Sequence, residues 1–288
     1  MSSQRIEALR RLVLLGPGLL WLTVLLVVPC AVVFAYSFFE RGVYGGIDYV
    51  FTVENYIRAV DPLYVSIFLT SGRIAATATL LALVIGYPAA YLIATTRKSW
   101  QVPLLVLAML PFWSNYLIRT YAWMVLLNNE GLINRALSTL GLIDAPLPLL
   151  YNEFAVVLGL VYGYLPFMIL ALYSSISRLN PEIREASADL GAPGWKTFLR
   201  VTLPLTLPGV AAGSVFVFVL SIGNFITPDL LGGGRLKMVG NLIYDQFLKA
   251  RDWPFGSALA FILISIMLLL LFAQALAVAR GEGRGRHA

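Results

Sequence analysis

The segment 180–191 reads Asn180-Pro181-Glu182-Ile183-Arg184-Glu185-Ala186-Ser187-Ala188-Asp189-Leu190-Gly191. Its first residues favour the start of a helix, because Asn180 is a preferred N-cap and Pro181 lacks an N–H that would have no partner in the first turn. Glu182 follows in that turn, where its charge complements the helix dipole. Gly191 favours the left-handed conformation that ends a helix. The segment therefore predicts a short helix over Pro181–Leu190 with a start and a stop of its own.

Two faces of this predicted helix differ. One face carries carboxylates at helical spacing, at Glu182, Glu185 and Asp189, and another carries an apolar or small stripe, at Ile183, Ala186, Ser187 and Leu190. A short isolated helix is marginal in water. We therefore expect it to pack against a partner, and its small residues would let that partner approach closely.

Long apolar runs occupy most of the chain on both sides of this segment. Of the 288 residues, 59% are hydrophobic and only 12% are charged, whereas a soluble domain carries about a quarter charged residues. Six runs lack Asp, Glu, Lys, Arg and His and can cross a bilayer core of about 30 Å as helices. They are Leu12–Phe39, Ile74–Thr96, Ser99–Ile118, Phe154–Ser177, Val201–Pro228 and Trp253–Ala279. The sequence predicts an all-α integral membrane protein with six transmembrane helices.

The distribution of Lys and Arg indicates the orientation. If the runs alternate from the inside, the cytoplasmic segments hold more basic residues than the external ones, which places both termini in the cytoplasm. Nucleic-acid binding is not favoured, because no basic stripe lies on a soluble domain. The predicted organisation is a cytoplasmic N-terminus over 1–11, a six-span membrane domain over 12–280 and a cytoplasmic tail over 281–288. The segment that contains Pro181–Leu190 lies in a cytoplasmic loop over 178–207.

The same loop carries a family resemblance. Glu185-Ala186-Ser187, then three residues, Gly191, nine residues and Val201-Thr202-Leu203-Pro204 resemble the EAA loop of ABC importer permeases. In that family the pattern is Glu-Ala-Ala, three residues, Gly, nine residues and Ile-x-Leu-Pro, so Ser187 and Val201 are small departures. The family's loop helix docks into a groove of a separate ATPase subunit. The resemblance implies ATPase coupling through Glu182, Glu185, Ala186, Ser187, Asp189 and Gly191.

Two further segments resemble the spermidine/putrescine permease branch, namely Pro111–Trp123 and Tyr244–Phe247 with Asp252-Trp253-Pro254. The resemblance implies a type I importer permease (MetI-like) fold in the bacterial inner membrane, similar to the membrane subunits of methionine and maltose importers. It implies two ATPase subunits, a second homologous permease and an external solute-binding protein as partners. ATP and Mg²⁺ would bind to the ATPase, and this chain would hold no cofactor. Polyamines are the favoured solutes, although similar permeases serve opines, amino acids or phosphonates.

Polar residues in or near the third and fifth apolar runs are candidates for the translocation pathway: Trp113, Asn115, Arg119, Tyr121, Asn224 and Asp229. Aromatic faces and carboxylates suit an ammonium ion, but polar side chains also join helices to each other. A charge such as Arg119 costs about 2.5–3.5 kcal/mol at the centre of a membrane helix. Arg119 could line a water-filled path, pair with a carboxylate, or reach the outer surface, and a cationic solute favours a structural role. Pro204, Pro208 and Pro228 would permit bends near the fifth run.

Other function classes lack the residues that they need. The phosphate-binding pattern G-x-x-x-x-G-K-[ST] is absent, and the chain has one histidine, His287, and one cysteine, Cys30. We therefore expect neither an enzyme nor a metal site. A stand-alone secondary transporter or channel remains an alternative, driven by an ion gradient. It would leave the helix over Pro181–Leu190 unexplained, and no internal repeat typical of such transporters is evident.

Overall fold

The computed structural model describes residues 3–285, with the side chains described for 13–183 and 185–276. Residues 1 and 2 of the predicted N-terminal segment lie outside the described residues. So do residues 286–288 of the predicted tail, which include His287. The chain divides into two compact units. The first comprises Met1–Val65 with Ile243–Ile266, and the second comprises Ser66–Leu242 with Met267–Ala288.

The described chain is mostly helical. Its longer helices are α1 (Ser3–Tyr36), α3 (Pro62–Thr95), α4 (Lys98–Met109), α5 (Tyr116–Leu127), α7 (Glu153–Ile176), α10 (Leu203–Ile222), α12 (Val239–Leu248) and α13 (Trp253–Gly285). Its shorter helices are α2 (Glu54–Ala59), α6 (Leu132–Thr139), α8 (Pro181–Asp189), α9 (Gly194–Thr197) and α11 (Ile226–Leu231). A 3₁₀ turn (Leu110–Trp113) follows α4, and a π-helical turn (Phe198–Thr202) joins α9 to α10. Strands β1 (Phe39–Arg41) and β2 (Ile47–Phe51) form an antiparallel hairpin.

Within the part of the chain that the structure describes, five helical stretches are long and apolar enough to cross a membrane: Val13–Tyr36, Pro62–Thr95, Glu153–Ile176, Gly194–Ile222 and Trp253–Leu276. They correspond to five of the six predicted spans. The remaining prediction, that the third span is one continuous helix over Ser99–Ile118, is wrong. The chain there bends by 83° between Lys98–Trp113 and Tyr116–Thr139, so that this pair together makes at most one further span.

Local chemistry explains the break in the third predicted span. Pro111 lies in the 3₁₀ turn and has no N–H for a helical hydrogen bond. Ser114 is extended, with φ −72° and ψ 151°. Asn115 then starts a new helix, because its side-chain oxygen accepts the N–H groups of Leu117 at 2.9 Å and Ile118 at 3.4 Å.

The fifth predicted span also differs from its prediction at both ends. Helical backbone begins at Gly194 and passes through the π-helical turn, which ends at Thr202, two residues before Pro204 in the first turn of α10. A proline cannot bond to the carbonyl four residues earlier, and a wider turn accommodates this loss. The helix then continues through Pro208 and ends at Ile222, so the break lies at Gly223 and not at a proline.

Glycines bring α7 and α10 into close contact in the second unit. A Cβ on Gly209 would lie 2.2 Å from the Cβ of Ser175, and one on Gly213 would lie 2.8 Å from the Sδ of Met168. Small residues are what allow membrane helices to pack backbone against backbone. We call these two helices the α7–α10 pair, and they flank the loop that contains α8.

Side-chain bonds hold the hairpin in the first unit, since a two-stranded hairpin alone is marginal. Asn55 donates to the carbonyls of Ser37 at 3.0 Å and Phe39 at 2.9 Å. Arg58 pairs with the buried Asp252 at 2.8 Å. Burial alone would lower the pKa of Arg58, but hydrogen bonds, chiefly to Asp252, raise this pKa above its ordinary value.

Candidate functional site

The helix predicted over Pro181–Leu190 is present as α8. The side chain of Asn180 accepts the N–H of Glu182 at 3.1 Å, as an N-cap does. At the other end, the N–H groups of Gly191 and of the residue after it donate to carbonyls of the last turn at 2.8 and 3.1 Å. Gly191 has a φ of +77°, the left-handed conformation that glycine adopts without strain. The predicted start and stop of this helix are confirmed.

The segment that follows α8 anchors the loop to the rest of the second unit. The hydroxyl of Ser187 on α8 bonds to the hydroxyl of Thr197 on α9 at 2.9 Å. The ring of Phe198 packs edge-on against Tyr87 of α3, with 5.3 Å between centroids. The hydroxyl of Tyr87 in turn bonds to that of Thr206 on α10 at 2.7 Å. The loop is therefore tied to both α3 and α10.

The remaining surface of α8 is unusually open for a helix with apolar residues. Of the six predicted coupling residues, Ser187 is half-buried and the other five are exposed. Ile183 is 43% exposed and Leu190 is 88% exposed. Beside the helix lies a cavity of about 340 Å³ whose lining includes Glu185, Ala188 and Phe198. Carboxylates and uncovered apolar side chains on one short helix are suited to a protein partner.

The six predicted pathway residues do not form one site. Trp113 and Tyr121 have exposed side chains, and Asn115 serves as the N-cap of α5. Arg119 and Asn224 are both buried, and both contact Tyr116, Arg119 at its ring and Asn224 at its hydroxyl. Asp229 is exposed and lines a cavity. The structure therefore separates these residues into surface, capping, buried and cavity positions.

Arg119 is 8% exposed and is held by its own part of the chain. Its Nη1 donates to the carbonyl of Pro111 at 2.8 Å, across the break between α4 and α5. Its guanidinium lies 5.2 Å from the ring centroid of Tyr116 and 5.8 Å from that of Tyr162. Such contacts stabilise a desolvated cation. Arg119 thus joins the turn before the break to α5 and α7.

Asn224 lies between α10 and α11 at the centre of a cluster that we call the polar junction, formed by Tyr116, Tyr164, Asn224 and Thr227. The Nδ2 of Asn224 donates to the hydroxyls of Tyr116 and Tyr164, both at 2.6 Å. Its Oδ1 accepts the N–H of Thr227 at 2.9 Å. The hydroxyls of Tyr116 and Thr227 also bond to each other. One amide side chain therefore connects α5, α7 and α11.

Three members of the polar junction carry no distinguishing signal in the sequence. Tyr116, Tyr164 and Thr227 all lie inside the long apolar runs. Tyrosine in an apolar helix is compatible with simple packing. An indirect signal is that a buried Asn requires hydrogen-bond partners, but the sequence does not say which residues supply them.

Asp229 lines a cavity of about 780 Å³ in the second unit, which we call the Asp229 cavity. Its polar lining comprises Asn128, Asn129, Asn152, Asp229 and Arg235. The ring of Tyr151 also contributes, from a backbone with φ of 61°. Amide oxygens, a carboxylate and an aromatic ring are groups that bind an ammonium ion.

Comparisons with known proteins show the family and the fold of this chain. The family model of the binding-protein-dependent transport system inner membrane component matches residues 86–280, which include α8 and the polar junction. The spermidine/putrescine transport system permease protein PotB of Escherichia coli (strain K12) is 42% identical over 243 residues, or 84% of this chain and 88% of PotB.

Two solved structures share the fold. A bacterial alginate ABC transporter, in complex with an alginate pentasaccharide-bound periplasmic protein, contains a chain that aligns with a TM-score of 0.75 at 16% identity. That alignment covers 94% of this chain and 93% of that one. The inward-facing methionine transporter MetNI aligns with a TM-score of 0.54 at 17% identity, covering 75% of this chain and 95% of its own. The predicted all-α, MetI-like fold is confirmed.

Proposed function

We propose that this chain, which belongs to the family of binding-protein-dependent transport system inner membrane components, carries a polyamine. It is a multi-pass permease of an ABC importer. The observation that carries this proposal is the extent of the similarity to PotB, which covers most of both chains. The Asp229 cavity supplies a carboxylate, amide oxygens and a tyrosine ring that can receive ammonium groups, beside one guanidinium, that of Arg235.

The proposed assembly contains two ATPase subunits, a second homologous permease and an external solute-binding protein. ATP and Mg²⁺ bind to the ATPase subunits, where hydrolysis takes place, and both termini of this chain lie in the cytoplasm. The open surface of α8 supports ATPase docking through Glu182, Glu185, Ala186, Ser187, Asp189 and Gly191. Import requires that ATP binding favour one arrangement of the spans over another.

The predicted pathway residues take different roles in this proposal. Asp229, at its cavity, meets the solute directly. Trp113 and Tyr121 present exposed aromatic side chains that can line the path. Asn115, Arg119 and Asn224 hold the broken helices in place.

The test is uptake by the assembled importer in proteoliposomes. We expect radiolabelled spermidine to enter only with ATP and with an active ATPase subunit. A Glu185→Lys variant should reach the membrane in normal amount but lose ATP-driven uptake, since a reversed charge would disrupt docking. Glu130→Lys is the matched control, because Glu130 is an exposed carboxylate in the link between α5 and α6 and should tolerate the change.

Several outcomes would contradict the proposal. Uptake driven by an ion gradient without the ATPase would indicate a secondary transporter. ATP-driven uptake of an opine, amino acid or phosphonate in place of spermidine would keep the importer and reject the polyamine. Normal uptake by Glu185→Lys would reject the coupling role of α8.

A further inference from the structure

The two helices that flank the α8 loop are packed so closely that they form one body. α7 ends at Ile176 before the loop, and helical backbone runs from Gly194 to Ile222 after it. Contacts at Gly209 and Gly213 leave no room for a side chain between them. Closely packed elements transmit displacement because they have little free volume. A force applied to α8 would therefore move the α7–α10 pair together.

α11 belongs to the same body although α10 ends before it. A Cβ on Gly159 of α7 would lie 2.7 Å from the Cγ2 of Thr227 and 2.6 Å from the Cδ1 of Leu231. The side chain of Asn241 donates to the carbonyl of Phe225 at 2.7 Å, which satisfies a polar group freed by the break. The backbone around Gly223 is thus fixed on more than one side.

α5 is connected differently. The chain bends by 83° between the helical stretches before and after Ser114 and Asn115, so no continuous helix holds α5 to α4. Within the polar junction, α5 contributes Tyr116, whose hydroxyl bonds to Asn224 at 2.6 Å and to Thr227. α5 also carries the candidate pathway residues Arg119 and Tyr121.

From this geometry we infer that Tyr116 is a positioning residue whose hydroxyl transmits movement of the α7–α10 pair to α5. The inference rests on the proposed importer function and adds to it a specific mechanical connection. The hydrogen bonds of the Tyr116 hydroxyl join two parts of the second unit. One is the α7–α10 pair with α11, which flanks the α8 loop, and the other is α5, which carries pathway candidates. Without the hydroxyl, α5 would follow the pair less faithfully, and ATP hydrolysis would be less tightly linked to solute movement.

The test is Tyr116→Phe in the assembled importer, with spermidine uptake and ATP hydrolysis measured on the same proteoliposomes. Phenylalanine retains the ring beside Arg119 and removes only the hydroxyl. We expect solute moved per ATP to fall roughly tenfold, as loss of a buried hydrogen bond at the transmitting contact would produce. Hydrolysis stimulated by the loaded binding protein should remain. Thr227→Val added to Tyr116→Phe should lower the ratio little further, since both changes remove one contact.

Tyr162→Phe is the matched control. Tyr162 lies on α7 with Tyr164, but its hydroxyl makes no hydrogen bond among the described residues, so the ratio should stay at the unmodified value. An unchanged ratio in Tyr116→Phe would overturn the inference. Uptake and hydrolysis that fall together with the amount of assembled complex would also overturn it, because the hydroxyl would then serve folding alone.

The unmodified complex reports separately on the proposed function. If it hydrolyses ATP and imports another solute but not spermidine, the polyamine assignment fails. The ratio for Tyr116→Phe is then measured with that other solute, and the inference stands or falls on the result.

Discussion

The α8 loop and the α7–α10 pair are built in opposite ways. α8 is defined by its caps and leaves its carboxylates and Leu190 exposed. The α7–α10 pair is defined by glycines and buries its contacts. The first arrangement leaves a surface for another protein, and the second leaves little freedom for movement between two helices. Together they suggest a surface that receives a force and a body that carries it.

The largest effect is expected where the pair has no free space. Gly209→Ala would place a Cβ 2.2 Å from that of Ser175, and overpacking of this kind typically costs about 1–3 kcal/mol. The midpoint of thermal unfolding of the purified chain in detergent should fall. Gly72→Ala is the control, since a Cβ there meets nothing within 4 Å, and its midpoint should hold or rise. Equal midpoints would mean that the two helices are not closely packed.

A slightly smaller effect is expected at the end of α8. Gly191 has open space around it, so substitutions act there through its φ of +77°. Valine in this conformation costs roughly 1–2 kcal/mol and would unwind the end of the helix, whereas asparagine tolerates it. We expect Gly191→Val to lower ATP-driven uptake severely and Gly191→Asn to retain most of it. If both variants import equally, the left-handed cap is unimportant for coupling.

A moderate effect is expected at the Asp229 cavity. Because Asp229 is exposed, solvent screens its interaction with an ammonium group, and Asp229→Asn should raise the spermidine concentration for half-maximal uptake about two- to fivefold. Asp144→Asn removes an exposed carboxylate that does not line this cavity and should change nothing. The same increase in both variants would point to general surface charge and not to a binding site.

The smallest effect is expected at Ser187. Ser187→Ala removes its bond to Thr197, a loss of about 1 kcal/mol that better helix propensity partly offsets. Uptake should stay within about twofold of the unmodified rate, because other contacts still hold the loop. A loss as large as that of Gly191→Val would show that this hydroxyl pair is itself the attachment of α8.

The features that were predictable from sequence are those that depend on neighbouring residues. Asn180, Pro181 and Gly191 act within one short helix, and apolar run length located the spans. The break at Ser114 had local signals in Pro111 and Asn115, but the length of the apolar run outweighed them. The polar junction was not predictable, because Tyr116 and Asn224 lie 108 residues apart and nothing local pairs them.

The most direct measurement is a cross-link between α8 and an ATPase. Cys30 is exposed and would first be replaced by serine, and Ala186→Cys would then place the only thiol on the exposed surface of the helix. Co-expressed with the ATPase subunit and treated with a short reagent that joins a thiol to a lysine amine, this variant should yield a product of both chains whose amount changes with ATP. If Ala186→Cys never joins an ATPase, or if the chain alone imports spermidine, α8 does not couple this permease to ATP hydrolysis.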